Sequence, residues 1–250
     1  MTLTLLVTGA SSGFGRAIAL RFVRDGHRVI AAARRRDRLE QLHAELGEAL
    51  LPLSLDVTDA AAVAALPESL PDGWREIDVL VNNAGLALGL DPAPTARLDH
   101  WDTMVATNVI GLMHVTRALL PRMVARNRGH IVNLGSVAGT YPYPGGHVYG
   151  ASKAFVRQFS LNLRADLIGT FVRVTDLEPG LVGGSEFSNV RFGDDARAAA
   201  VYAGTEPLTP EDIAEAVAWT VNLPPHVNIN RIEMMPTCQA SGPLAVKRQG

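Results

Sequence analysis

Cysteine is almost missing from this 250-residue chain. Cys238 stands alone, so no internal disulfide can form, and a reducing, cytoplasmic setting is expected. No uninterrupted apolar run approaches the ~20 residues of a membrane-spanning helix. The first residues lack the basic start of a secretory signal and lead straight into a strand-like run. Charge of one sign is lacking too. A formal net charge of −2 gives no electrostatic reason to expect nucleic acid or a membrane as partner. His27, His43, His100, His114, His130, His147 and His226 are scattered, and a lone cysteine builds no sulfur site, so no metal is expected. Internal repeats and low-complexity linkers are absent, which leaves one domain as the expectation.

What is present is alternation. Strand-like runs fall near 3–8, 28–32, 51–56, 78–82, 130–134, 171–177 and 231–235. Helical patterns lie between them, as at 36–46, 111–126, 148–168 and 211–223. This order predicts an α/β, Rossmann-type doubly wound sheet of about seven parallel strands with helices on both faces. Ligands of such sheets bind beyond the C-terminal strand ends, near the switch in strand order.

Two motifs carry chemistry. After the first strand comes Thr8-Gly9-Ala10-Ser11-Ser12-Gly13-Phe14-Gly15, then apolar residues at helical spacing. Strand, glycine-rich turn and helix start let backbone N–H groups approach a diphosphate, although a plain structural turn has the same form. The second motif is Tyr149-Gly-Ala-Ser-Lys153, with Ser136 upstream. A phenol and an ammonium four residues apart share a helix face. The cation is expected to favour the phenolate, and a serine hydroxyl beside it would bind a substrate oxygen. Together they could move a proton on or off an alcohol.

In this order the two motifs resemble the short-chain dehydrogenase/reductase family over the whole chain. Further matches are Asp56-Val57, Asn82-Asn83-Ala84-Gly85, Asn108 and Pro179-Gly180. The segments Asn82–Gly89, Lys153–Ser160 and Glu178–Gly184 look like its NADP-dependent 3-hydroxy acid dehydrogenases, which act on serine, allo-threonine and related acids and reduce malonic semialdehyde. The resemblance implies roles for residues. Gly9, Ala10, Ser11, Ser12, Gly13 and Phe14 would cradle the cofactor phosphates. Asp56 and Val57 would meet the adenine, Asn83 the adenosine side, and Pro179, Gly180, Leu181 and Val182 the nicotinamide. Tyr149 would be the acid–base, Ser136 the ligand of the substrate oxygen and Lys153 the holder of the nicotinamide ribose. Asn108 would anchor a water leading to solvent. Asp56 could equally end a strand, and a buried Asn108 could merely brace a helix.

No carboxylate precedes Asp37 at the end of the second strand, where Arg34 and Arg35 stand instead. Guanidinium matches phosphate oxygens, so these two are expected on a 2′-phosphate and NADP as the cofactor. Arg36 and Arg38 read as a solvated helix start. The substrate pocket is expected among 86–90, 137–147 and 183–192, with a flap near 183–206; for a carboxylate substrate Arg191 and His147 are the nearest basic candidates, and either could instead face solvent. Phe155, Phe159 and Asn162 form another stripe on the Tyr149 helix, which in the family packs between subunits and implies a homotetramer. Two other readings stay open: a reductase of another carbonyl (a 3-oxoacyl thioester, sugar or polyketide), and a non-catalytic NADP-sensing regulator.

Overall fold

The computed structural model describes residues 2–241. Its strands are β1 (Thr4–Thr8), β2 (Arg28–Ala33), β3 (Leu50–Ser54), β4 (Val79–Asn82), β5 (Gly129–Leu134), β6 (Val172–Pro179) and β7 (Arg231–Met234). They form one parallel sheet in the order β3-β2-β1-β4-β5-β6-β7. Pro52, which cannot donate to a ladder, is accommodated because β3 is an edge strand.

The helices are α1 (Gly13–Arg24), α2 (Arg36–Leu46), α3 (Ala60–Ser69), α4 (Leu98–Val105), α5 (Leu112–Ala125), α6 (His147–Asp166), α7 (Phe187–Phe192), α8 (Asp195–Tyr202) and α9 (Pro210–Val221). Successive strand residues point to opposite faces, and the two faces have separate cores. Leu5 and Val7 of β1 pack with Phe22 of α1, Leu39 of α2 and Val217 of α9. Leu6 lies on the other side with Val63 of α3, Val115 and Leu119 of α5, and Leu163 of α6. A polar seam crosses the second layer. Asn82 Nδ2 donates to Thr116 Oγ1 and to Asn133 Oδ1, each at 2.9 Å, and Asn133 Nδ2 donates to Ser160 Oγ at 2.8 Å. It fixes α5 and α6 against β4 and β5.

One expectation needs correction. A π-helical stretch, Ala106–Gly111, joins α4 to α5, so 98–125 is one helix of 28 residues, long and apolar enough to cross a membrane. Apolar residues interrupted by Asn108 and Thr116 escape a search for unbroken runs. Val115, Leu119 and Met123 face the core here, while Leu98, Val105, Ile110 and Val124 are exposed.

Phe22 is fully buried between α1 and the sheet. Phe22→Ala is expected to lower unfolding stability by ~3–5 kcal/mol, through lost burial and the cavity left behind. Urea denaturation followed by circular dichroism measures this.

Candidate active site

The strand order reverses between β1 and β4, and a cleft of about 330 Å³ opens there. Gly9 has φ +68°, and a Cβ on it would stand 2.9 Å from Asn83 Nδ2. That amide donates to the carbonyl of Thr8 at 2.8 Å, tying the loop after β1 to the loop after β4. Gly9, Ser11, Ser12, Gly13 and Phe14 line the cleft as expected. Ala10 does not; it is buried behind the loop, its N–H on the carbonyl of Ala32. The start of α1 has no side-chain cap and no acidic residue in its first turn. Its N–H groups are therefore free for an anion.

Asp56, Val57 and Asn83 also line the cleft. Asp56 Oδ1 accepts from the N–H and the hydroxyl of Thr58, so the residue closes a turn as well. Burial opposes its ionisation, but the two Thr58 bonds and nearby Arg34 outweigh it and hold the carboxyl below its usual range. Arg34 lines the cleft with no hydrogen bond or ion pair to protein among the described residues.

Arg35 lines the same cleft and is also engaged within the chain. Its Nε donates to Ser11 Oγ at 3.1 Å, Nη2 to Ser12 Oγ at 2.7 Å and Nη1 to Glu186 Oε2 at 2.7 Å. Arg38 Nη1 takes the other Glu186 oxygen at 2.6 Å. The guanidinium of Arg35 lines the cleft beside Arg34 and also pairs with a carboxylate of the same chain, and Arg38 is not merely solvated. Sequence reasoning missed Glu186 because nothing in the local pattern pairs it with residues 148 or more positions away.

Tyr149 and Lys153 are buried on α6. Ser136 follows β5; its hydroxyl accepts from the N–H of Ala138 at 3.1 Å and lies against the Tyr149 phenol, favouring the phenolate. Lys153 Nζ donates to the carbonyl of Leu134 at 2.7 Å and sits 5.8 Å from the centre of the Tyr149 ring. The expected acidification by the ammonium is overturned for the free protein. Burial, helped by Tyr143, pushes the phenol up to about 12 against the pull of Ser136 and Arg191. Burial also lowers Lys153 to about 8, opposed by Asp176. The phenol is therefore proton-loaded near neutral pH.

Asn108 lies in the π-helical stretch, where its side chain accepts from the Leu86 N–H at 2.9 Å and donates to the Leu86 carbonyl at 2.8 Å and to Ser152 Oγ at 3.1 Å. One amide hydrogen thus braces the loop after β4 and the other reaches α6, so the side chain ties the two together. Pro179, Gly180, Leu181 and Val182 are not among the residues lining the cleft. Leu181 N–H is taken by Gln239 Oε1 at 2.7 Å, and Val182 pairs with Leu208. Ser185, Glu186, Phe187 and Val190 close that side instead.

The segment carrying α7 lies over the catalytic helix, with the Phe187 and Tyr149 rings 5.7 Å apart. Arg191 on α7 donates from Nε to the Gly89 carbonyl at 3.2 Å and from Nη2 to the Tyr143 hydroxyl at 2.9 Å. Its guanidinium carbon stands 5.7 Å from the centre of the Tyr149 ring, and Nη1 has no hydrogen-bond partner among the described residues. His147 points elsewhere: Nε2 meets the carbonyl of Asp91 at 3.1 Å, and the ring packs on Trp101.

A phosphate-ready turn, a buried Ser–Tyr–Lys set and a strand-order switch between them define a nucleotide-linked alcohol or carbonyl chemistry. The family model for short chain dehydrogenases matches residues 3–194, and the chain belongs to that family. An NADP-dependent 3-hydroxy acid dehydrogenase of Salmonella typhi is 62% identical over 245 residues, covering 98% of this chain and 99% of the relative. The serine 3-dehydrogenase of Agrobacterium fabrum is 50% identical over 250 residues, the full length of both chains. Among solved structures, the closed form of serine dehydrogenase complexed with NADP+ superposes with a TM-score of 0.95 at 59% identity, covering 99% of this chain and 100% of that one.

Glu186 joins the α7 segment to Arg35 and Arg38. Glu186→Ala is expected to speed tryptic cleavage after Arg191 and Arg197 while leaving the thermal midpoint almost unchanged, because partly exposed ion pairs contribute little to global stability. Peptide mapping of a digestion time course checks this.

Proposed function

We propose that the protein is an NADP-dependent oxidoreductase for small 3-hydroxy acids such as serine, allo-threonine and 3-hydroxypropionate, and that it reduces malonic semialdehyde in reverse. The observation that carries the acid substrate is Arg191, held over the Tyr149 ring with Nη1 unpaired among the described residues. The carboxylate of a 3-hydroxy acid stands two carbon–carbon bonds from the reacting carbon, a span short enough to bridge Arg191 and the phenol. Bidentate pairing of guanidinium with carboxylate would fix that orientation.

The cleft supports the cofactor assignment. The uncapped start of α1 suits a diphosphate and Arg34 suits a 2′-phosphate; Asp56, Val57 and Asn83 suit the adenosine end, and Tyr149 and Lys153 the nicotinamide ribose. When bound, the nicotinamide supplies the carbon that accepts or gives up hydride. The remaining steps belong to the chain. Ser136 donates to the substrate oxygen, where charge changes most. Tyr149 takes the alcohol proton during oxidation and returns it to the carbonyl oxygen during reduction. Lys153 holds positive charge beneath both, and α7 with Phe187 keeps water away. Exposed Leu98, Val105, Ile110 and Leu161 on α4, the π-helical stretch and α6 support the homotetramer, placed in the cytoplasm.

Initial rates with NADP and with NAD, for the three hydroxy acids beside secondary alcohols lacking a carboxylate, test the reading. NADP-dependent turnover confined to the acids is expected, abolished in Tyr149→Phe. Arg191→Met should lower kcat/KM for the acids by roughly 10- to 100-fold, the size of a lost charged hydrogen bond. Turnover of the uncharged alcohols alone would discard the acid substrate. The pH dependence has a fixed sign. Because burial raises the Tyr149 phenol to about 12 in the free protein, oxidation should gain rate as pH rises through the alkaline range, while reduction should lose rate there. Paired pH–rate profiles in the two directions read this.

A further inference from the structure

Behind the Tyr149–Lys153 pair lies a second ionisable set that this chemistry does not use. Asp176 and Glu178 are two residues apart on β6 and so face the same side of the sheet. Each is 1% exposed. Neither oxygen of Asp176, nor Oε1 of Glu178, has a hydrogen-bond partner among the described residues. Burying two carboxylates together with both ionised is strongly unfavourable; two such groups coexist when one proton lies between them.

Their position relative to the catalytic groups is set by Gly135. A Cβ there would stand 2.4 Å from Asp176 Oδ1 and 2.9 Å from Glu178 Cγ, so the acidic pair is pressed against this residue's backbone. On one side of Gly135 is Leu134, whose carbonyl receives Lys153 Nζ; on the other is Ser136. The charged groups facing the pair come from α6 and β7. Arg231 Nε donates to Glu178 Oε2 at 2.8 Å, and Arg157 Nε stands 4.0 Å from Oε1. Glu233 pairs with Arg231 and accepts from the Tyr141 hydroxyl at 3.1 Å. Both arginines therefore serve Glu178. Lys153 is the cation whose charge acts most on Asp176, ahead of Arg231.

We infer that Asp176 and Glu178 share one proton and form a positioning pair for Lys153, keeping its ammonium charged in a site whose burial would otherwise neutralise it. The directions of titration agree. Burial and the neighbouring Glu178 carry Asp176 far above the usual carboxylate range, while burial lowers Lys153 and Asp176 raises it. As pH rises the shared proton leaves to solvent, and the added negative charge resists loss of the Lys153 proton. The inference rests on Lys153 being the cation of the proposed site, but its test needs neither cofactor nor substrate.

The chain has only two lysines, Lys153 and Lys247. In Lys247→Arg protein labelled with carbon-13 at lysine Cε, the single lysine signal reports the ionisation of Lys153 directly. Asp176→Asn in that background is expected to lower the midpoint by about one unit, by removing the charge that opposes burial. Glu178→Gln should raise it, because Asp176 then ionises alone at lower pH beside Lys153. Equal midpoints in the three proteins, or shifts of one sign in both variants, would overturn the pairing. Near-UV circular dichroism checks that each variant folds, and if Asp176→Asn does not, the Glu178→Gln shift decides by its sign. Turnover is scored separately, since a protein inactive on every hydroxy acid would sink the proposed activity and leave the titration standing.

Discussion

A buried ammonium must be solvated by something, and here the solvating group is the carbonyl of Leu134 at the end of β5. That bond joins the catalytic helix to the centre of the sheet. It fixes the height of α6 above β5, and with it the place of the Tyr149 phenol relative to Ser136, which follows Leu134 by two residues. The polar seam from Asn82 through Asn133 to Ser160 holds the same helix further along. Moving α6 would strand several buried polar groups at once, and each stranded group is costly. Ser136, Tyr149 and Lys153 are held in place for that reason, not because any one contact is strong.

The same constraint explains the conflict between the phenol and the lysine. On an open helix surface an ammonium four residues from a phenol would favour the phenolate. Inside this site the ammonium is turned toward the backbone, and loss of water acts on both groups. Desolvation drives each toward its neutral form, which raises the tyrosine and lowers the lysine. The free protein thus holds its transferable proton on Tyr149.

The cationic end of the cleft divides its work. Arg34 lines the cleft with no ion pair among the described residues, whereas Arg35 and Arg38 grip Glu186. One carboxylate thereby couples the segment covering the catalytic helix to the phosphate-facing loop, since Arg35 also holds Ser11 and Ser12. Arg191, on the same covering segment, stands over the Tyr149 ring.

Local pattern was enough for much of this. The alternation of strand and helix, the glycine turn after β1, and the four-residue spacing of Tyr149 and Lys153 all follow from short-range rules of backbone geometry, and the seven strands lie within two residues of those expected, whereas α3, α4, α7 and α8 had no expected range. Arg191 was legible as a basic residue in a covering segment. The partners of Arg35, the bracing role of Asn108, the absence of Pro179–Val182 from the cleft lining and the buried Asp176–Glu178 pair were not. Each depends on which groups lose water together and which distant donors they then meet. Periodicity in the sequence sets the face on which a side chain stands; only the packed sheet and helices set the charge and the hydrogen bonds it finds there.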